Sequence, residues 1–259
     1  MRLRLRNSWM VCLLCLGCQN LPGGEQRPDP DEALWQAGQE AMKTGRPEQA
    51  IAVYEQAAEK NHLSLAAAYL EKGDDHAACQ HLGLYLETHP EHHNARFYHA
   101  ELLLKLGRHT QAKGQFERAI RNEQEVPEPD LVHLVHCHTR LLEVGDALGE
   151  EYLVQLHRGI GMLLLARQRA VLDDPNGEMP VEALLCKSIA ALTRAQALGP
   201  SEARPCWYLH VAWRQLAQPQ PARRWLAEAR RRAALSELTP AEQRDLLLAT
   251  AALLDAWPR

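Results

Sequence analysis

The sequence predicts an all-α fold, and three observations support this prediction. Alanine and leucine, both strong helix formers, supply most of the 46% of residues that are hydrophobic, whereas aromatic residues account for only 5%. A spacing of a small residue, a large residue and a third apolar residue occurs three times between residues 50 and 119. A glycine lies five residues before each copy, at a place where a helix commonly ends in a left-handed cap.

The three copies of this spacing differ in how far apart they lie. They are Ala50-x3-Tyr54-x2-Ala57, Ala78-x3-Leu82-x2-Tyr85 and Ala112-x3-Phe116-x2-Ala119. The second and third copies are 34 residues apart, whereas the first lies 28 residues before the second. Such a period is typical of helix pairs that bury their apolar faces only by stacking on neighbouring pairs. The shorter first interval predicts a tight turn near residues 59–63.

This pattern resembles the tetratricopeptide repeat, a helix–turn–helix unit of 34 residues. Leu65, Ala66, Tyr69 and Pro90 occupy the family's characteristic positions in the second copy. The spacing returns at Ser188-x3-Leu192-x2-Ala195 and, 34 residues later, at Ala222-x3-Leu226-x2-Ala229. The resemblance implies a right-handed α-solenoid of about five to six stacked helix pairs plus a C-terminal capping helix.

The predicted organisation follows from these positions. We expect three repeats over residues 31–126 and degenerate and further repeats over 127–235, with a loop at 173–180 that is rich in Pro, Asn and Gly. Between residues 127 and 172, where the register is weakest, we expect helices near 130–144, 147–157 and 160–172. Thr239-Pro240 begins the last helix, because proline favours the first helical turn, and residues 236–259 form the cap.

The first 30 residues differ in composition from the rest of the chain. Three arginines precede a short apolar run, Trp9 to Gly17, which is typical of a signal peptide and too short to span a bilayer. The run ends Cys15-Leu16-Gly17-Cys18, which resembles the lipobox of bacterial lipoproteins, although Cys15 stands where leucine is usual. We therefore predict a signal peptide at 1–17, lipidation of Cys18 and a flexible tether at 18–30. A plain cleaved signal or an uncleaved start remains the alternative.

The resemblance implies a groove lined by the first helix of each pair. By the i, i+4, i+7 spacing of one helix face, the predicted partner-binding residues are Trp35, Gln39, Met42, Leu63, Leu70, Phe97, Glu101, Leu104, Trp207, Val211 and Arg214. Apolar and aromatic side chains on such a surface suit an amphipathic helix or an extended peptide. The alternative is that these residues pack against a neighbouring helix.

Other functional patterns are weak or absent. His133, His136 and Cys137 share one helix face and could bind a metal, but a site needs three or four fixed ligands, so neither a metal nor another cofactor is predicted. No catalytic motif is present, and the net charge of −4 gives no indication of nucleic-acid binding. We expect Cys79, Cys137, Cys186 and Cys206 to be buried free thiols, with a Cys186–Cys206 disulfide as the alternative.

The predicted function is therefore a non-enzymatic protein–protein interaction scaffold, lipid-anchored to the bacterial cell envelope, that presents its groove to a protein or peptide. Gln19, where aspartate would favour the inner membrane, favours the periplasmic face of the outer membrane. Two alternatives remain open: a periplasmic metal- or redox-handling protein that uses His133, His136 and Cys137, and an intracellular adaptor if the leader is not cleaved. The partner and the oligomeric state are not predicted.

Overall fold

The computed structural model describes residues 30–56, 61–172 and 179–255, and every regular element within these ranges is helical. These ranges contain twelve α-helices: α1 Pro30–Lys43, α2 Pro47–Tyr54, α3 His62–Lys72, α4 Asp75–Thr88, α5 His93–Lys105, α6 His109–Gln124, α7 Leu131–Leu148, α8 Glu151–Leu172, α9 Val181–Leu198, α10 Ala203–Gln215, α11 Pro219–Arg232 and α12 Pro240–Asp255. A short 3-10 helix, Ala233–Leu235, follows α11.

The all-α prediction is confirmed. The predicted signal peptide, the lipidation site at Cys18 and residues 18–29 of the predicted 18–30 tether lie outside the described residues, as do Ala57 and residues 173–178 of the predicted loop. Pro30, the last residue of that tether, begins α1. The described residues form two compact units, which we call unit 1 (those up to Pro90) and unit 2 (those from Glu91 onwards).

Unit 1 contains α1 to α4, and each of these helices packs on the next one along the chain. Its core is made by small residues that face large ones: Tyr54, which is 2% exposed, lies directly over Gly38. A Cβ atom at residue 38 would clash with the Tyr54 ring. The short first interval of the repeat is explained by α2, which has only 8 residues, whereas α4 has 14.

The first two residues of the repeated spacing, the small one and the large one, are buried in both units. Ala50, Ala78 and Ala112 are fully buried, and their large partners Tyr54, Leu82 and Phe116 are at most 2% exposed. Burial of the same positions in successive pairs is what the stacking interpretation requires.

Glycine ends the first helix of the first three pairs, as predicted. Gly45, Gly73 and Gly107 have φ values of 67°, 88° and 72°, a region that favours glycine. In each case the next residue donates a backbone hydrogen bond back into the helix, for example Asp74 N to Tyr69 O at 2.8 Å, so the last carbonyls are satisfied. The same turn after α10 uses Ala217, with φ 53°.

Unit 2 contains α5 to α12, and again each helix packs on the next; α5 also packs on α7, and α8 on α10. The predicted break between helices at 147–157 and 160–172 is wrong, because residues 151–172 form the single 22-residue helix α8. Gly159 lies inside this helix and permits close packing, since a Cβ there would be 2.5 Å from Leu192 Cγ of α9. The chain therefore has five helix pairs in its described residues, with α9 between the fourth and the fifth.

The C-terminal capping helix is confirmed as α12. Leu238 and Leu246 join Trp207 of α10 and Leu226 of α11 in one buried cluster. The start of α12 also reaches α6, where Thr239 Oγ1 is 3.0 Å from Gln124 Oε1 and Arg244 pairs with Glu125. The cap therefore contacts helices that are far apart in the sequence of unit 2.

Replacing Gly38 with alanine tests the close packing in unit 1. We expect Gly38→Ala to destabilise the protein by about 1–3 kcal/mol, because the new Cβ overpacks a rigid tyrosine ring. Gly114→Ala in α6 is the matched control: no atom lies within 4 Å of a Cβ there, so better helix propensity should stabilise by up to about 1 kcal/mol. Urea unfolding followed by circular dichroism measures both, and effects of the same sign would contradict the packing described.

Candidate functional site

The predicted groove residues of unit 1 fall into two groups. Trp35, Gln39, Leu63 and Leu70 are half-buried and keep part of their surface accessible. Met42 is only 4% exposed and belongs to the core cluster with Ala50 and Tyr54, so its assignment to the groove is wrong. The apolar face of α1 is wide enough to include Met42 beside Ala41, and the second helix of the pair covers both.

In unit 2 the prediction fails for both aromatic residues. Phe97 is 8% exposed, and its ring packs edge-on against Phe116, with 5.6 Å between ring centroids. Trp207 is 6% exposed and lies in the cluster that α12 covers. Both belong to the core, because helices α6 and α12 occupy the side of α5 and α10 that the sequence assigned to a partner.

The other predicted residues of unit 2 lie nearer the surface. Leu104 and Val211 are half-buried and Arg214 is exposed. Glu101 is held by Arg140, whose Nε lies 2.6 Å from Glu101 Oε1. Burial raises the pKa of Glu101, although the Arg140 charge opposes this.

A polar cavity of about 140 Å³, partly open to solvent, lies in unit 2. The residues that line it come from five helices and from the segment before α12. Those used below are Gln124 of α6, His138 of α7, His157 of α8, Arg204 and Tyr208 of α10, and Glu242 of α12. Arg204 and Tyr208 therefore define the face of α10 that lines the cavity, which we call its inner face. Trp207, one residue before Tyr208, lies on a different side of the helix.

Glu242 is the centre of a hydrogen-bond network at this cavity. Its carboxylate accepts hydrogen bonds from Arg204 Nε at 3.0 Å and from Tyr208 Oη at 2.8 Å. It also accepts one from the backbone N of Thr239 at 2.8 Å, and Glu242 N donates to Thr239 Oγ1 at 3.2 Å. These last two bonds form a capping box at the start of α12.

The network perturbs the titration of its members. Burial tends to lower the pKa of Arg204, but the Glu242 charge outweighs it and raises that pKa. Burial, with the adjacent Glu242 charge, holds the pKa of Tyr208 well above its usual value. The site therefore holds a charged Arg204 and a neutral Tyr208.

Two buried histidines face each other beside this network. His138 Nδ1 and His157 Nδ1 are 2.7 Å apart, and the two residues are 3% and 4% exposed. Burial, with the Arg204 charge adding to it, lowers the pKa of His138 to about 3. Burial and the neighbouring His138 also lower the pKa of His157. At neutral pH both rings are therefore uncharged, and one Nδ1–H donates to the other Nδ1.

The predicted metal-site candidates do not converge. His133 Nε2 is 3.7 Å from Cys137 Sγ, but His136 is exposed and Cys137 is fully buried. Burial raises the pKa of the Cys137 thiol, which disfavours the thiolate that binds metals. Across the described ranges, no group of three or more histidine, cysteine or acidic side chains is placed to hold a metal ion.

The four cysteines of the helical region are free thiols, without a Cys186–Cys206 disulfide, but the predicted burial holds for only three of them. Cys186 is exposed, whereas Cys206 is buried and accepts a hydrogen bond from Arg232 Nη1 at 2.8 Å. No helix in the described part of the chain is both long enough and apolar enough to cross a membrane.

Sequence reasoning missed most of the cavity. The pairing of His138 with His157 joins residues 19 apart in different helices, so no local pattern reveals it. The capping box was visible as Thr239-x2-Glu242, a known helix-start signal, but the signal says nothing about Arg204 or Tyr208.

Two segments of the chain match sequence families of the tetratricopeptide repeat, at residues 31–59 and 94–123. The described residues of these segments form the helix pairs α1–α2 and α5–α6. The matches support the interpretation of the chain as a tetratricopeptide-repeat protein. No curated protein sequence matches the chain significantly.

Crystal structures of MamA are among the solved structures with a similar fold. One MamA structure is 14% identical, with a TM-score of 0.41, and the match covers 78% of this chain and 91% of that chain. The MamA 41-end structure from Desulfovibrio magneticus RS-1 is 16% identical, with a TM-score of 0.34, over 80% of this chain and 96% of that chain. A likeness at this level identifies no function.

The buried histidine pair predicts a pH dependence of stability. Histidine in the unfolded chain titrates near pH 6.5, whereas His138 folds with a pKa of about 3 and the pKa of His157 is also lowered. The unfolded state therefore binds protons first, and stability falls as the pH drops from about 6.5 towards 3, by up to about 1.4 kcal/mol per pH unit for each histidine.

Urea unfolding at about pH 7 and about pH 5 checks this dependence. The difference between the two stabilities should shrink in the double variant His138→Leu, His157→Leu. The exposed His76 provides the control, and His76→Leu should leave the wild-type difference in place. An unchanged difference in the double variant would show that the pair does not fold in its neutral form.

Proposed function

We propose that this protein is a non-enzymatic interaction scaffold of the bacterial cell envelope. The observation that carries the scaffold function is that two segments matching the tetratricopeptide repeat each fold as a helix pair, with the small and large residues of the repeat buried between helices. Helix stacks of this type bind proteins or peptides along the faces that packing leaves accessible.

In unit 1, the proposed binding surface is the accessible part of α1 and α3. Trp35 and Gln39 on α1, and Leu63 and Leu70 on α3, keep surface exposed after the core has formed. Trp35 packs partly on the unit 1 core, so it is a rigid aromatic side chain of the kind that anchors partners. A half-buried apolar row of this kind suits the apolar face of an amphipathic helix.

The envelope location is proposed from the leader sequence. A basic start, a short apolar run and the Cys15-Leu16-Gly17-Cys18 motif support export and transfer of a lipid to Cys18. The lipid would hold the helical region at a membrane surface through the polar segment at residues 18–30. Gln19 supports placement on the periplasmic face of the outer membrane.

Cys18→Ala tests the anchor, and Cys15→Ala is its matched control. We expect the wild-type protein and Cys15→Ala to fractionate with the membrane and to yield an N-terminal peptide that begins with diacylglyceryl-Cys18. Cys18→Ala should be neither lipidated nor membrane-bound. An unmodified N-terminal peptide that still begins at Met1 in the wild type would overturn the envelope location and favour an intracellular adaptor.

Site-specific photocrosslinking tests the scaffold function in cells. A photoreactive amino acid at position 63 or position 70 should give discrete covalent adducts with a partner protein, because both positions lie on the proposed binding surface. The same amino acid at exposed Gln80, on the second helix of that pair, should give none. Trp35→Ala should weaken the adducts from position 63. Equal adducts from all three positions, or none from 63 and 70, would contradict the proposal.

A further inference from the structure

The start of α12 is held in unit 2 mainly by polar contacts. Glu242 is 5% exposed and bridges Arg204 and Tyr208 of α10, while Thr239 contacts Gln124 of α6. Ser236 adds a further link, since its Oγ donates to Glu202 Oε2 at 2.8 Å and accepts from Ala203 N at 2.9 Å. These bonds hold the segment in one position on unit 2, and the contact between Arg204 and Glu242 makes that position dependent on charge.

The apolar contacts of the same segment are few. Leu238, Ala241 and Leu246 are buried, but Leu247 and Leu248 are 70% and 69% exposed. Over residues 240–252, the part of α12 whose side chains the structure describes, only Ala241 and Leu246 are buried apolar residues. So little apolar burial gives this part of the helix low local stability, because most of the stability of a protein helix comes from packing its apolar face.

The surface beneath this segment is not closed by it. A pocket of about 140 Å³, partly open to solvent, remains between the segment and the helices below. His138, His157 and Arg204 are among the residues that line it. The inner face of unit 2 therefore presents polar side chains to a space that residues 236–246 leave unfilled.

We propose that this inner face, around Arg204 and Tyr208, is a peptide-binding surface and that residues 236–246 occupy it as an intramolecular ligand. The inference rests on the proposed scaffold function and names the kind of partner that unit 2 binds. A partner segment displaces residues 236–246 and takes their place, so the C-terminal segment regulates access to the surface.

The contacts define the chemistry of the partner. Arg204 is half-buried, with 24% of its side chain exposed, and removing the partner of a charge in such a place is unfavourable, so the partner supplies a carboxylate where Glu242 lies. A hydroxyl residue three positions earlier completes the capping box, as Thr239 does. Apolar residues in the places of Leu238 and Leu246 cover Trp207. The partner is therefore a helix start with the pattern leucine, Ser/Thr, two residues, Glu, three residues, leucine.

Hydrogen exchange on the intact wild-type chain tests whether the segment opens. Amides of residues 241–250 should exchange at least about tenfold faster than those of α8 and α10, because local opening exposes them without unfolding unit 2. Exchange of α12 together with α8 and α10, in one global step, would overturn the proposal and make α12 a permanent part of the fold. This measurement needs no variant, so it stands even if a substitution prevents folding.

Binding of a fluorescent peptide tests the surface itself. The probe is a peptide with the sequence of residues 236–252, added to the full-length protein and followed by fluorescence anisotropy. In Glu242→Gln the intramolecular ligand has lost its charge, so this variant should bind the peptide at least about tenfold more tightly than the wild type does. Asp245→Asn removes the same charge from an exposed position on the same helix and should behave as the wild type.

Two further variants identify the contact. The peptide carrying glutamine in place of Glu242 should bind Glu242→Gln at least about tenfold more weakly than the wild-type peptide. Adding Arg204→Met to Glu242→Gln should abolish binding. Equal binding by Glu242→Gln and Asp245→Asn, or binding that survives Arg204→Met, would overturn the proposal. If the peptide does not bind but the crosslinks at positions 63 and 70 form, this inference alone is wrong. If those crosslinks do not form, the proposed scaffold function of unit 1 is wrong.

Discussion

The contact of a small residue on one helix with a large residue on the next is the constraint on which the rest of the structure depends. Tyr54 lies over Gly38 in unit 1, and Leu192 lies over Gly159 in unit 2. In both places the helices approach so closely that a single Cβ atom would prevent the packing. Because close-packed interiors tolerate little change in volume, these contacts fix the position of each helix on its neighbour, and the accessible faces follow from that position.

The sequence predicts this constraint well, because it is expressed locally. The spacing that contains Ala50, Ala78 and Ala112 marks buried positions, and the glycines before them mark left-handed turns. Both features depend on residues that lie close together in the sequence. That α8 continues through Gly159 could not be predicted in the same way, since glycine generally disfavours the interior of a helix. Only its contact with Leu192, 33 positions away, shows that glycine is needed inside the helix.

The faces available to partners were predicted less well than the helices. A shift of one residue along a helix turns a side chain by about 100°, and this is enough to exchange Trp207 for Tyr208 on the inner face of α10. Phe97 and Trp207 are large apolar residues, and the sequence cannot tell whether another helix of the same chain or a partner covers them. In this fold α6 and α12 cover them, and the surface left inside unit 2 is polar.

The turn that precedes α11 has a consequence for the order in which the chain folds. Ala217 adopts the left-handed conformation that glycine adopts in the earlier turns, and a residue with a Cβ does so at a cost of about 1–2 kcal/mol. Part of what the α10–α11 hairpin gains from its own contacts, such as the hydrogen bond between His210 Nδ1 and Ala222 O, is therefore offset by that strain. We expect this hairpin to form later than the glycine-ended hairpins, so that nucleation begins in those and the C-terminal end is completed last.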